Sequence, residues 1–232
     1  MTKHLKTWLA IPVFNHSAKL AGLVSKCLSD CPDIVVVDDG STDQDIGKIL
    51  SGMPVHLITH SRNMGKGEAI RSAARFISDK GGGYMITMDA DGQHLPDVLP
   101  LFLDAIAARH GAVLIGARDF TSQKIPLASR TGRRISNFLV EMETGYRLSD
   151  TQSGFRAYPV ALFSEVECSS SRFSFETEII VRALWKGYKV EEFGMPVFYP
   201  KGKERITHFS LIMDNARIFL LHARLLLEKT CR

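Results

Sequence analysis

The sequence predicts an α/β fold, a mostly parallel central sheet with helices on both faces. Three observations carry that expectation. Short apolar runs and amphipathic stretches alternate through the first 116 residues, the rhythm of strands joined by crossover helices. The apolar runs are continuous rather than alternating, as in strands covered on both sides. Hydrophobic residues make up 45% of the chain and charged residues 23%, which supplies a core and excludes disordered, collagen-like and disulfide-scaffold chains. A length of 232 residues favours one elaborated domain over two full-sized ones.

In chain order, strands are expected at 8–13, 34–37, 55–59, 84–88 and 113–115, with helices at 18–28, 45–50, 67–78 and 96–108. The first strand reads Trp-Leu-Ala-Ile-Pro-Val, the second Ile-Val-Val-Val and the fourth Tyr-Met-Ile-Thr-Met; these runs have strand length. Pro96 suits the first turn of the fourth helix, where an amide hydrogen would go unbonded. From 121 to 150 the alternation stops in an arginine-rich segment with a helix at 130–142. A further helix at 176–186 and strands at 190–193 and 197–199 follow, and 209–229 reads as one last helix. The expected division is a domain of 1–208, with halves 1–116 and 117–208, followed by an amphipathic helix within 209–232.

Cys27 and Cys31 are spaced one residue too widely for a redox pair, and Cys168 and Cys231 complete no metal-binding set. Reduced thiols in a cytoplasmic chain are expected. No run of about 18 apolar residues occurs, so the chain is expected to be at most peripheral to a bilayer, on the cytoplasmic face.

Ligands of parallel sheets bind beyond the carboxyl ends of the strands, and two acidic clusters fall there. Asp89-Ala90-Asp91 leaves an apolar strand into a glycine turn. Its carboxylates are hard oxygen donors suited to Mg2+ or Mn2+, ions that keep waters and bridge to substrate phosphates. Gln93 adds a neutral ligand or holds a water. The same residues also read as an acidic turn ahead of the next helix. In Asp38-Asp39-Gly40-Ser41-Thr42-Asp43, Ser41, Thr42 or Asp43 can cap the following helix. Asp38 and Asp39 are not needed for that cap and can accept hydrogen bonds from a nucleobase or ribose. Between the clusters, Asn63-Met64-Gly65-Lys66-Gly67 opens a helix, where backbone amides can approach phosphate. It matches neither the P-loop nor the dinucleotide fingerprint, and a helix-start turn without ligand fits it equally well.

Taken together, Ile11-Pro12-Val13-Phe14-Asn15, Val37-Asp38-Asp39-Gly40-Ser41-Thr42-Asp43, Asn63-Met64-Gly65-Lys66-Gly67 and Met88-Asp89-Ala90-Asp91-Gly92 resemble family 2 glycosyltransferases of the GT-A fold. The resemblance implies a nucleotide-sugar donor held by Pro12, Asn15, Asp38, Asp39, Lys66, Gly67 and Asp89, and a divalent metal, Mg2+ or Mn2+, held by Asp89, Asp91 and Gln93. Gly116-Ala117-Arg118, Arg130, Asp150-Thr151-Gln152-Ser153-Gly154-Phe155-Arg156 and Phe175-Glu176-Thr177-Glu178 look like the dolichyl-phosphate mannose synthase branch, which moves a hexose to a polyprenyl phosphate. That resemblance gives the acceptor phosphate to Arg118, Arg130 and Arg205, and guanidinium groups suit a planar phosphate contact. One departure stands out: the Ser-Lys pair usual after the late arginine is absent, and Thr207-His208 occupies the place.

An inverting displacement at the anomeric carbon is implied. A hydroxyl acceptor needs a general base, for which Glu176 or Asp150 is available, with Asp91 also in the catalytic set; a phosphate acceptor is already an anion. The rival readings are transfer to a hydroxyl of a lipid or polyene-type acceptor with Glu176 as base, and a non-catalytic nucleotide-sugar binder. A phosphohydrolase reading fails on Gly92-Gln93 after the second aspartate, and a nucleotidyltransferase reading lacks its glycine-rich N-terminal turn. The final helix carries apolar residues over most of its circumference, so a membrane surface meeting 209–228, a partner chain or a larger core would cover it. The formal net charge of +4 is unevenly placed: residues 109–147 and 201–232 each carry seven Lys/Arg against three Asp/Glu. That suits an anionic acceptor at a membrane surface and gives no support to nucleic acid.

Overall fold

The computed structural model describes residues 6–91, 96–118, 127–195 and 211–231, without the side chains of 127–130, 211, 212 and 215. Its strands are β1 (Thr7–Val13), β2 (Ile34–Asp38), β3 (His56–Thr59), β4 (Tyr84–Thr87), β5 (Val113–Arg118), β6 (Arg156–Pro159) and β7 (Val190–Met195). The helices are α1 (Leu20–Cys27), α2 (Ile46–Ile49), α3 (Lys66–Asp79), α4 (Leu99–Ala108), α5 (Leu127–Thr144), α6 (Leu162–Glu165), α7 (Ser174–Lys186) and α8 (Leu211–Thr230). Short 3-10 turns at Ser17–Lys19 and Pro96–Val98 lead into α1 and α4. The expected strand at 197–199 lies outside the described residues.

All seven strands form one sheet in the order β3-β2-β1-β4-β6-β5-β7. Pairing is parallel except at β6, which runs antiparallel to both β4 and β5. The sequence reading did not anticipate β6. Arg-Ala-Tyr-Pro is four residues long, opens on a charge and ends on a proline, so no local apolar run announces it. Its Arg156 is nevertheless fully buried, with its guanidinium donating to backbone carbonyls: Nε to Ser153 at 2.6 Å, Nη2 to Thr151 at 2.9 Å, and Nη1 to Glu176.

The alternation of side chains across β1 sorts the core. Leu9, Ile11 and Val13 face a layer with Leu20, Val24, Leu99 and Phe102 from α1 and α4. Trp8 and Ala10 face the other way, with Ala73 and Ile77 of α3 and Ile179 of α7. Each fully buried aliphatic side chain contributes about 1.5–3 kcal/mol, which is why residues on both sides of these strands are apolar. A third cluster joins Val140 of α5 and Ile180 of α7 to Leu221 and Leu225 of α8.

The last helix turns its polar groups inward. Asp214 and His222 are buried, and His222 Nδ1 lies 2.7 Å from the buried Glu143 of α5. Glu178, buried on α7, pairs with Arg182 at 2.8 Å and Arg224 at 2.7 Å, and accepts from the Ser169 and Ser170 amides. Outward, Met213, Phe219, Leu220 and Leu227 are exposed, as are Ile135, Phe138 and Met142 of α5. No helix among the described residues is long and apolar enough to cross a membrane.

Candidate active site

The strand order reverses between β1 and β4, since β2 and β3 lie to one side and the later strands to the other. Such a switch point leaves a crevice beyond the carboxyl ends of the strands. A cavity of about 270 Å3 opens there, lined by Pro12, Asp39, Lys66, Asp89 and Asp91 among others. These five residues come from segments far apart in the chain, and each was expected at a ligand site.

Asp39 follows β2 directly and is 3% exposed. Its Oδ1 accepts from the Met64 amide at 2.8 Å, and its Oδ2 from the Gly65 amide at 2.8 Å. Asp39 therefore shapes the turn that opens α3. Gly65 adopts φ 99°, and a Cβ there would sit 2.5 Å from the Ser171 carbonyl, so this turn demands glycine. His60 Nδ1 lies 2.8 Å from Asp39 Oδ1, and its Nε2 3.0 Å from Ser72 Oγ.

Lys66 begins α3 and is the electrostatic centre of the site. Its ammonium stands 2.6 Å from Asp89 Oδ1 and 2.9 Å from Glu176 Oε1. Both contacts are ion pairs, so one ammonium holds the Asp89 and Glu176 carboxylates together. Burial would lower the Lys66 pKa, but Asp89 and Glu176 outweigh it and hold the group above the ordinary lysine range. Lys66 is a cation in this site.

Gly154 completes the cradle. A Cβ on it would lie 2.6 Å from Asp89 Oδ2 and 2.7 Å from Lys66 Nζ, so only glycine leaves room for that pair. Its carbonyl accepts from Thr87 Oγ1 at 3.1 Å, and the adjacent Ser153 Oγ donates to the Gly116 carbonyl at 2.6 Å. Ser153-Gly154 is thus a buried support under the site.

Other expected residues are placed differently. Asp38 accepts from the Ser41 amide at 2.8 Å. Asn15, at φ 52°, accepts from the Thr42 amide at 2.7 Å and lines a smaller neighbouring cavity that Asp91 also borders. Gly67 serves close packing, since a Cβ there would lie 2.5 Å from Phe175 Cβ. Arg118 and Asp150 form a bidentate pair, Nε to Oδ2 at 2.7 Å and Nη2 to Oδ1 at 2.8 Å, with Asp150 1% exposed. Gln93 and Arg205 lie outside the described residues, as does the side chain of Arg130 on α5.

Three cavity residues escaped the sequence reading: His16, one place beyond the first motif, and Arg172 and Phe173. Arg172 and Phe173 precede α7 on a segment anchored to α3, where the Glu68 amide donates to the Ser171 carbonyl at 3.1 Å and Arg71 donates to the Cys168 and Ser170 carbonyls. Only the place of Arg172 and Phe173 just before Phe175-Glu176 marks that pair in the sequence.

The donor set suits a hard divalent cation. Asp89 and Asp91 both line the cavity and offer two carboxylates, the number such ions use when substrate phosphates complete their coordination. Among the described residues no cluster of three or more His, Cys, Asp or Glu side chains that could hold a metal ion occurs.

A switch-point cavity that gathers two carboxylates and a buried cation is the candidate active site. A sequence profile described as glycosyl transferase family 2 matches residues 8–167. The chain belongs to that family, and it is a glycosyltransferase. It is 30% identical over 223 residues to a polyprenol monophosphomannose synthase from Mycolicibacterium smegmatis, covering 88% of this chain and 81% of the relative. It is 25% identical over 194 residues to an undecaprenyl-phosphate mannosyltransferase from Micrococcus luteus, covering 78% and 79%. The fold is similar to glucosyl-3-phosphoglycerate synthase from Mycobacterium tuberculosis, solved with Mn2+, uridine diphosphate and glucosyl-3-phosphoglycerate; the TM-score is 0.71 at 15% identity, covering 97% of this chain and 80% of that one. The architecture is GT-A, one domain with a helical C-terminus.

Proposed function

We propose that this enzyme transfers a hexose from a nucleoside-diphosphate sugar to a polyprenyl phosphate, with inversion at the anomeric carbon. One observation carries the reading. Both carboxylates that could serve as a general base for a hydroxyl acceptor are already engaged, Asp150 by both nitrogens of Arg118 and Glu176 by Lys66. A phosphate acceptor needs no base, because its oxygen is already anionic. That oxygen forms the new bond to the anomeric carbon while the bond to the diphosphate breaks, the electron pair leaving with the nucleoside diphosphate. The names of the polyprenol and undecaprenyl-phosphate relatives support the acceptor class.

In this reading Asp39 and the wall around Pro12 take the nucleoside, and Lys66 lies beside the diphosphate. Asp89 and Asp91 would hold Mg2+ or Mn2+, and when bound the ion neutralises charge on the leaving diphosphate. Lys66 keeps Asp89 oriented and its charge partly balanced until donor arrives. The outward apolar faces of α5 and α8 would rest on the membrane surface that presents the lipid acceptor.

The test is transfer of radiolabelled hexose from UDP- and GDP-sugars into an organic-extractable polyprenyl phosphate product, with and without Mn2+. Metal-dependent product that disappears in Asp91→Ala is expected. Transfer surviving that substitution, or no nucleotide response in thermal shift, refutes the reading. Flotation with liposomes tests the location separately: a Phe219→Glu/Leu220→Glu variant should lose lipid binding while remaining folded.

A further inference from the structure

Arg172 and Phe173 reach the cavity from a stretch, 166–171, that is neither helix nor strand. Three helices fix its backbone instead. From α3, Arg71 Nη1 donates to the Cys168 and Ser170 carbonyls at 3.1 and 2.9 Å, and the Glu68 amide donates to the Ser171 carbonyl at 3.1 Å. From α7, the fully buried Glu178 accepts from the Ser169 amide at 3.1 Å and the Ser170 amide at 2.8 Å. Glu178 is held in turn by α8. Arg224 Nη2 donates to its Oε1 at 2.7 Å, and Nη1 of the same guanidinium donates to Ser169 Oγ. Arg182 ties the two helices further, pairing with Glu178 at 2.8 Å and with Glu228 of α8 at 3.1 Å. Ser169, Glu178 and Arg224 all lie past residue 167, where the match to the family profile ends.

We infer that Arg224, on the C-terminal helix, is a positioning residue for the donor side of the active site. Through Glu178 and Ser169 it fixes the segment that presents Arg172 and Phe173 to the cavity. The inference rests on the nucleotide-sugar reading above and makes α8 a working part of that site. A buried carboxylate must have its charge balanced where it stands. Arg182 helps to balance it, but Arg224 touches both Glu178 and the segment itself, a bridging task that a forked guanidinium suits better than a point charge. Arg172 carries any shift onward. Its Cγ lies 2.7 Å from where a Cβ on Gly65 would stand, and its guanidinium donates to Asn63 Oδ1 at 3.3 Å. Gly65 is the residue whose amide Asp39 accepts, so movement of the 169–171 backbone reaches the turn between Asp39 and Lys66. Arg224 does not line the cavity; it acts on it at one remove.

The experiment measures KM for UDP- and GDP-sugars and for a polyprenyl phosphate, beside amide hydrogen exchange over 168–175, in the full chain and in Arg224→Ala, Ser169→Ala and Arg217→Ala. Arg217 is a matched control: it sits on the same helix, its side chain is 40% exposed against 41% for Arg224, and it pairs with Asp214 instead of Glu178. Arg224→Ala should raise the donor KM by about tenfold, the scale of one lost hydrogen bond to a charged group, and leave kcat and the acceptor KM within about twofold. The Ser169 and Ser170 amides should exchange faster in the same variant. Arg217→Ala should leave both readouts at the parent values, a split that a merely structural role for α8 would not give. Ser169→Ala removes one hydroxyl from an exposed residue and should raise the donor KM by about threefold, which keeps the inference testable if Arg224→Ala does not fold. Adding Arg224→Ala to Arg172→Ala should fall well short of multiplying their separate effects, because one acts through the other. A donor KM unchanged in a folded Arg224→Ala, or raised equally in Arg217→Ala, overturns the inference while leaving the transferase reading intact. Neither transfer nor donor binding in the unaltered chain overturns both.

Discussion

Replacing Gly154 by alanine is the sharpest structural probe of the site. The added Cβ would stand 2.6 Å from Asp89 Oδ2 and 2.7 Å from Lys66 Nζ, against ordinary contacts of 3.4 Å or more. Carboxylate and ammonium must therefore retreat by roughly 0.7 Å, the difference between those figures, and their ion pair at 2.6 Å must be rebuilt in a new place. Gly154 carries no positive φ among the described glycines, so the backbone accepts alanine and the strain falls on the cradle alone. Overpacking of this kind costs about 1–3 kcal/mol of stability, and misplacing a reacting group by close to 1 Å costs about a hundredfold in rate. The expected result is a cooperatively folded variant, a few degrees less thermostable, with kcat/KM lowered by about 30–100-fold. Initial rates measured across a Mn2+ titration, beside thermal denaturation, check both halves. A variant within about threefold of the parent rate, or one that fails to fold, would refute the view that Gly154 is reserved for Asp89 and Lys66.

Three further outcomes follow from features outside the cradle. The Glu178 pKa is lowered: burial pushes it up, but bonds from Ser170, Arg182 and Ser169 outweigh that, so its contribution is present above about pH 4.3 and lost as pH falls through the lower folded value. Glu178→Gln should cost about 3 kcal/mol near neutral pH and flatten part of the acid limb of a Tm-against-pH curve; an unchanged limb counts against the network. Burial pushes the Cys27 and Cys168 thiols up to about 12 and Cys31 to about 11, so iodoacetamide at pH 8 should label the exposed Cys231 alone, with the others reacting only after denaturation, as read by mass spectrometry. Gly22 on α1 has nothing within 4 Å of a built Cβ, so Gly22→Ala should raise stability by about 0.5–1 kcal/mol in urea denaturation.

Much of this site could be read before any coordinates. Asp39, Lys66, Asp89 and Asp91 announced themselves because acidic or glycine-rich turns directly follow apolar runs, and parallel strands bring such turns to one edge. The strands β1 to β5 and every helix except the short α6 followed from local pattern to within a few residues. What escaped was whatever depends on tertiary partners. Arg156 looks like a surface charge until three backbone carbonyls are found around it. His60 looks like a polar residue at a strand end, and only the fold brings it to Asp39. Arg172 sits in an undistinguished Ser-rich stretch whose position is set by Arg71 and the start of α3. The pairing of Arg118 with Asp150 also needed coordinates, because each had been given a separate role.

The antiparallel strand has a consequence for how the chain can be assembled and divided. β5 hydrogen-bonds to β6 and β7 but not to β4, so the fifth strand to be synthesised has no place in the sheet until the sixth arrives some forty residues later (Arg118 to Arg156). During synthesis, β1 to β4 can associate first, with the β4 edge left open to water or to another chain. That edge is a hazard for aggregation until Arg156 swings in and its guanidinium gathers the carbonyls around Thr151, Ser153 and Glu176. A fragment ending near residue 150 would keep most of the donor-side motifs and still lack the strand that closes them into a single sheet.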